Sequence, residues 1–139
     1  MKLLKTVLTS VALLTAITTT SVSAASKGQD LQFVEDAVYC LILGQTMMGV
    51  PQDNVRIRGY QLYQAINTDT TINGYLEIVD RLYPEREVNV AARRGVNNAA
   101  GINKNTLYYQ SDAYAQQCFD AIPIMKQNAR KWKAEHYSK

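Results

Sequence analysis

A single cysteine pair, Cys40 and Cys118, limits how this 139-residue chain can fold. The segment around each is apolar at helical spacing. In a helix over 30–49, Phe33, Ala37, Cys40, Leu41, Gly44 and Met48 share one face. Toward the other end, Tyr114, Cys118, Ala121, Ile122, Met125, Ala129 and Trp132 form a similar stripe. Each thiol therefore points to the apolar side of its helix, where packing of the two helices brings sulfur to sulfur. Two cysteines allow only one intramolecular pairing. Closing a loop that spans most of the folded chain removes about 4 kcal/mol of denatured-state freedom. A redox-active pair would place its thiols close together, as in Cys-x-x-Cys, and a zinc site needs more than two Cys and one His. The reading is a structural disulfide joining the first and last helices.

Such a bond persists in an oxidising compartment, and the N-terminus is consistent with one. Lys2 and Lys5 precede a short apolar stretch from Val7 to Ile17. A Ser/Thr-rich passage then ends in Val22-Ser23-Ala24. Charge, greasy core and small residues are the three regions of a secretory signal. The expectation is a signal peptide over 1–24, cut after Ala24 or Ala25, a helical domain over 25–139, and export to the periplasm. The apolar stretch is much shorter than the ~20 residues that span a bilayer, so no membrane span is expected. Removing Lys2 and Lys5 leaves 13 basic residues against 12 acidic ones. That balance lacks the clustered basic face that nucleic acid requires.

The remainder reads as one all-α domain of four to six helices. Asp30 to Gly49 is stopped by Gly49 and Pro51. Gln52 to Asn67 restarts, with Pro51 suiting its first turn and Val55, Gly59, Leu62, Tyr63 and Ile66 in phase. Thr70 or Thr71 caps a third helix carrying Ile72, Tyr75, Leu76, Val79 and Leu82, ended by Pro84. Glu85 to Ala100 is a less regular helix, because Gly95 and two Asn count against it. Gly101 to Asn105 reads as a loop. The last helix starts at Asn105 or Ser111 and runs to about His136, with Pro123 expected to kink or split it.

Chemistry is sparse. His136, the only histidine, lies near the C-terminus and reads as a surface residue at a fraying end. No metal-ligand spacing, phosphate-cradling Gly-rich turn or haem-attachment motif occurs, so neither metal nor cofactor is expected. Glu77 with Asp80, and Glu85 with Glu87, are the paired carboxylates. Arg81 and Arg86 interleave them and favour a solvated surface, so the reading is not an enzyme. Nine tyrosines offer apolar area with a polar tip, a residue type favoured at protein interfaces. Tyr108 and Tyr109, with Arg93 and Arg94, are the candidate binding residues. An apolar cavity lined by Met47, Met48 and tyrosines is an alternative way to bind a small molecule.

The chain resembles the periplasmic amidase-immunity proteins of type VI secretion systems. The likeness rests on the signal, on Ala37-Val38-Tyr39-Cys40 in the first mature helix, on a middle section rich in Tyr and Gly, and on Cys118-Phe119-Asp120 in the last helix. It implies an all-α bundle, often a homodimer, that binds a secreted peptidoglycan hydrolase and plugs its active site. The cysteines lie farther apart here than in that family, and no residue role carries over. The small disulfide-bonded acid-stress chaperones of the periplasm are similar in outline and supply the alternative. Mass spectrometry of the unreduced protein is expected to find no free thiol; two free thiols in exported protein would remove the central tie.

Overall fold

The computed structural model describes residues 24–137, so the expected signal peptide falls outside it apart from Ala24. Among the described residues there are five helices and no strand: α1 Lys27–Met48, α2 Asp53–Asn67, α3 Thr70–Leu82, α4 Glu85–Ala100 and α5 Lys104–Tyr137. Cys40 and Cys118 are bonded, joining α1 to α5 with their Cα atoms 5.7 Å apart. No described helix is long and apolar enough to cross a membrane.

Local chemistry sets the boundaries, with several shifts from the sequence expectation. α1 begins before Asp30 because Ser26 caps it. The Ser26 hydroxyl accepts from the Gln29 amide at 3.1 Å, and the Gln29 side chain accepts from the Ser26 amide at 2.8 Å. Pro51 lies outside α2, whose N-cap is Gln52. Asp69, not Thr70 or Thr71, caps α3 by accepting from the Ile72 amide at 2.8 Å. α4 is a complete helix, with Glu85 and Glu87 in its first turn favoured by the helix dipole.

The loop after α4 is shorter than expected. Asn103 accepts from the Asn105 amide at 2.7 Å, and helix starts at Lys104. Both expected starting points of the last helix are real features. A first helical stretch begins at Lys104, breaks at Gln110 (φ −127°, ψ 19°), and a second continues from there. Pro123 does not split α5: the non-helical dihedrals are at Gln110 alone. Proline forfeits one backbone hydrogen bond, but here its ring is exposed and crowds nothing in the core.

The core is built round α1, which touches all four other helices. Its buried set is Asp30, Phe33, Val34, Ala37, Cys40, Leu43, Gly44 and Met47. Leu41 and Met48, expected on the core face, are only half-buried, while Leu43 and Met47 are fully enclosed. A helix surrounded by partners buries more than one stripe, so a single-stripe reading misplaces its edges.

Glycine sets the spacing on two sides of α1. A β-carbon on Gly44 would lie 2.8 Å from the Gly59 carbonyl oxygen, and one on Gly59 would lie 2.6 Å from Met47 Cβ. On the α4 side, a β-carbon on Gly95 would lie 2.5 Å from the Glu35 carbonyl oxygen and 2.9 Å from the Tyr39 nitrogen. Ala91 and Ala99, one turn either side of Gly95, are buried in the same seam. The residue that weakened the sequence reading of α4 is thus what allows the helix to dock. Gly95→Ala is expected to destabilise the protein by about 1–3 kcal/mol through overpacking against backbone, despite alanine's better helix propensity. Gly74→Ala, with nothing within 4 Å of the new carbon, should instead stabilise by roughly 0.5–1 kcal/mol. Denaturant midpoints of the two variants check the contrast.

Candidate functional site

Two polar features stand against the apolar core, and both involve α1. The first is Asp30, completely buried one turn into α1. It accepts a hydrogen bond from the Tyr75 hydroxyl at 2.5 Å and another from the Tyr83 hydroxyl at 2.6 Å. A buried carboxylate is tolerated when donors saturate it, and two phenols from α3 and its C-cap do so. Aromatic rings close round the pair. Phe33 and Tyr75 meet edge to face at 5.0 Å, Trp132 lies 5.8 Å from Tyr75, and His136 lies 6.3 Å from Tyr75. Outside them Lys27 pairs with Glu87 and stands 5.9 Å over the Tyr83 ring.

His136 therefore differs from the expectation of a fraying surface residue. It is half-buried, and its Nε2 is enclosed without a hydrogen-bond partner among the described residues. Packing on Tyr75 keeps α5 helical through Tyr137. Asp30 itself carried a signal in the sequence, since it lies in phase with Phe33, Ala37 and Cys40. Reading it only as a helix start missed its role.

The second feature is a groove of about 380 Å³ between α1 and α5. The helices run antiparallel, as Cys40 meets Cys118 at one end and Phe33 lies 6.4 Å from Trp132 at the other. Phe33, Ala121, Ile124, Met125 and Trp132 supply the apolar lining. Gln29, Gln32 and Asp36 line the α1 wall, at spacings of three and four residues; Asn128 and Lys131 line the α5 wall. A second recess of about 200 Å³ shares Asp36 and Ala121 with the first and reaches the disulfide. The Gln32 amide donates to Asp36 Oδ1 at 2.8 Å. Partial desolvation at the groove wall lifts the Asp36 carboxyl above its ordinary value although the residue stays largely exposed, and the Gln32 hydrogen bond only partly opposes it. Asn128 and Lys131 have no hydrogen-bond or ion-pair partner among the described residues.

The residues singled out from the sequence lie elsewhere and are not gathered into one patch. Leu107 and Ser111 are buried, so Tyr108 and Tyr109 between them face outward. Tyr109 is 82% exposed and Tyr108 41%, their rings edge to face at 4.9 Å. Arg93 and Arg94 are exposed on α4, opposite the Ala91–Gly95–Ala99 seam. α4 and α5 make no packing contact, so the arginines and tyrosines occupy separate surfaces. Met47 is sealed in the core, which removes it as a cavity wall. Glu77 and Asp80 are exposed on α3, and no group of three or more metal-ligating side chains occurs among the described residues. Comparison with protein-family models, characterised proteins and solved structures finds no match.

The Asp30 cluster makes a specific demand on pH. Burial, reinforced by the hydrogen bonds and charge of Asp30, holds the Tyr75 and Tyr83 hydroxyls protonated well above the ordinary tyrosine range. An unfolded chain releases those protons near about pH 10. Their contribution to stability is thus complete below that pH and is lost above it, by about 1.4 kcal/mol per pH unit for each tyrosine. Alkaline titration followed by phenolate absorbance should show these two rings ionising only together with unfolding. Asp30→Asn should move that transition to lower pH.

Proposed function

We propose that this chain is a non-catalytic periplasmic protein that binds another protein and inhibits it by occlusion, its partner a peptidoglycan hydrolase delivered by a rival cell. The observation that carries the reading is the Tyr108–Tyr109 pair. Two aromatic rings stand in solvent beside the Gln110 break, on a helix anchored by Leu107 and stapled to α1 further on. Tyrosine brings large contact area with few rotatable bonds, so a rigidly held pair loses little conformational entropy on binding. The disulfide suits an oxidising compartment. The sequence resemblance supplies the class of partner.

A second reading, an acid- or stress-responsive chaperone, draws on Asp69. Burial tends to raise its carboxyl, but the Ile72 and Thr71 amides and Lys126, 3.1 Å away, together hold it below the ordinary value. That stabilisation is present above the unfolded carboxyl's pKa and is lost as pH falls through the folded one. Acid therefore loosens the joint between α3 and α5.

The two readings separate experimentally. A secreted peptidoglycan hydrolase should be encoded beside this chain, and its digestion of peptidoglycan should be blocked by the purified protein. Tyr108→Ala with Tyr109→Ala should weaken that block at least about tenfold, in the range of interface hot spots, with no change in thermal stability. Undiminished digestion, together with suppression of client aggregation at strongly acidic pH, would replace the inhibitor reading with the chaperone one.

A further inference from the structure

We propose that the α1–α5 groove is a binding site for a free short peptide of about three or four residues, its ammonium end at Asp36 and its carboxylate end at Lys131. The site is separate from the Tyr108–Tyr109 surface and goes beyond the inhibitor reading.

The charges are the first support. Asp36 is the acidic residue of the groove and Lys131 the basic one, on opposite walls. Asp36 lies at the end shared with Ala121 and the disulfide recess, while Lys131 lies next to Trp132. Among the described residues no ion pair quenches either, and Oδ2 of the Asp36 carboxylate has no partner there beside the Gln32 bond on Oδ1. A molecule with opposite charges at its two ends satisfies both.

Length is the second. From Gln29 to Asp36 along α1 is about 10 Å, and from Ala121 to Lys131 along α5 about 15 Å, at the helical rise. An extended peptide covers roughly 3.3–3.6 Å per residue, so three or four residues fit between the charges. A longer chain crossing the groove would not bring both its termini to these residues. The opposed charges therefore favour a free peptide over an internal segment of a protein.

The third is the chemistry between the ends. Gln32 on the α1 wall and Asn128 on the α5 wall carry primary amides, which both donate and accept and so match a peptide bond. Ile124, 58% exposed, and the half-buried Ala121 offer apolar surface for a central side chain over a floor of Phe33, Met125 and Trp132, and the volume of about 380 Å³ falls within the range of small-molecule sites. Trp132 is only 8% exposed, so it cannot present the open ring face on which a sugar stacks. That sets a peptide above a saccharide.

Trp132 is the only tryptophan in the chain, which makes its fluorescence a direct report on the groove. The probe is Ala-Leu-Ala with both termini free, compared with its N-acetylated and C-amidated forms at low ionic strength. The free peptide should shift Trp132 emission saturably and release or absorb heat in calorimetry. Each blocked form should bind about tenfold more weakly, the loss expected for one charged hydrogen bond. Asp36→Asn should abolish the penalty for acetylation alone, and Lys131→Gln the penalty for amidation alone. Both side chains are exposed and outside the core, and the blocked-peptide comparison needs no variant. A silent fluorescence and calorimetric titration with millimolar peptide would overturn the proposal. So would equal binding of free and doubly blocked peptides, which would mark an internal segment as the occupant, or discrimination that survives both substitutions.

Discussion

Helix axes approach closely only where no β-carbon stands between them, and this bundle uses that at two places on one helix. Gly44 and Gly59 let α1 and α2 meet backbone to backbone; Gly95 does the same for α1 and α4. With two flanks of α1 fixed at that distance, the side chains left to fill the interior are those directed at α3 and α5. There the contacts are of another kind, made by the large rings of Phe33, Tyr75 and Trp132 and by the disulfide. Close seams on two sides and bulky packing on the rest place α1 at the centre. The groove between α1 and α5 lies on that side.

Asp30 shows what such a centre costs. Burying a carboxylate is unfavourable by several kcal/mol unless donors replace its water. Tyr75 and Tyr83 replace it, at the price of two phenols that can no longer ionise freely. The arrangement specifies how α3 sits on α1, since only one register brings both hydroxyls to one carboxylate. Truncating either partner leaves a buried polar group unpaired, which is why such a junction resists substitution more than apolar packing does.

Much of the fold was legible in the sequence. Period-3.6 stripes located the helices, Pro and Gly marked their ends, and the phase of Cys40 and Cys118 gave the disulfide. Where the reading slipped, tertiary packing was the reason. Gly95 counted against α4 because propensity treats a helix in isolation, whereas the seam against Glu35 and Tyr39 demands it. Pro123 looked like a breaker but sits on the solvent side, and the break went to Gln110. His136 reads as part of a frayed end because nothing in the linear chain announces the Tyr75 ring it packs on. The groove was the least legible feature: Gln29, Gln32, Asp36, Asn128 and Lys131 are unremarkable polar positions until two helices distant in sequence bring them face to face.

The position of α1 also bears on the order in which the molecule can be assembled. A chain emerges from its N-terminal side first, so the helix that needs every other helix is also the earliest to appear. α2 follows at once and covers one flank, yet the flank served by Gly95 stays bare until α4 has emerged, and Cys40 has no mate until α5 has. During that interval the stretch from Leu31 to Val50 is a greasy rod with most of its circumference unshielded, the state in which nascent chains clump or are held by helper proteins. The architecture that makes the finished protein rigid therefore makes its unfinished form the most vulnerable stage of its life.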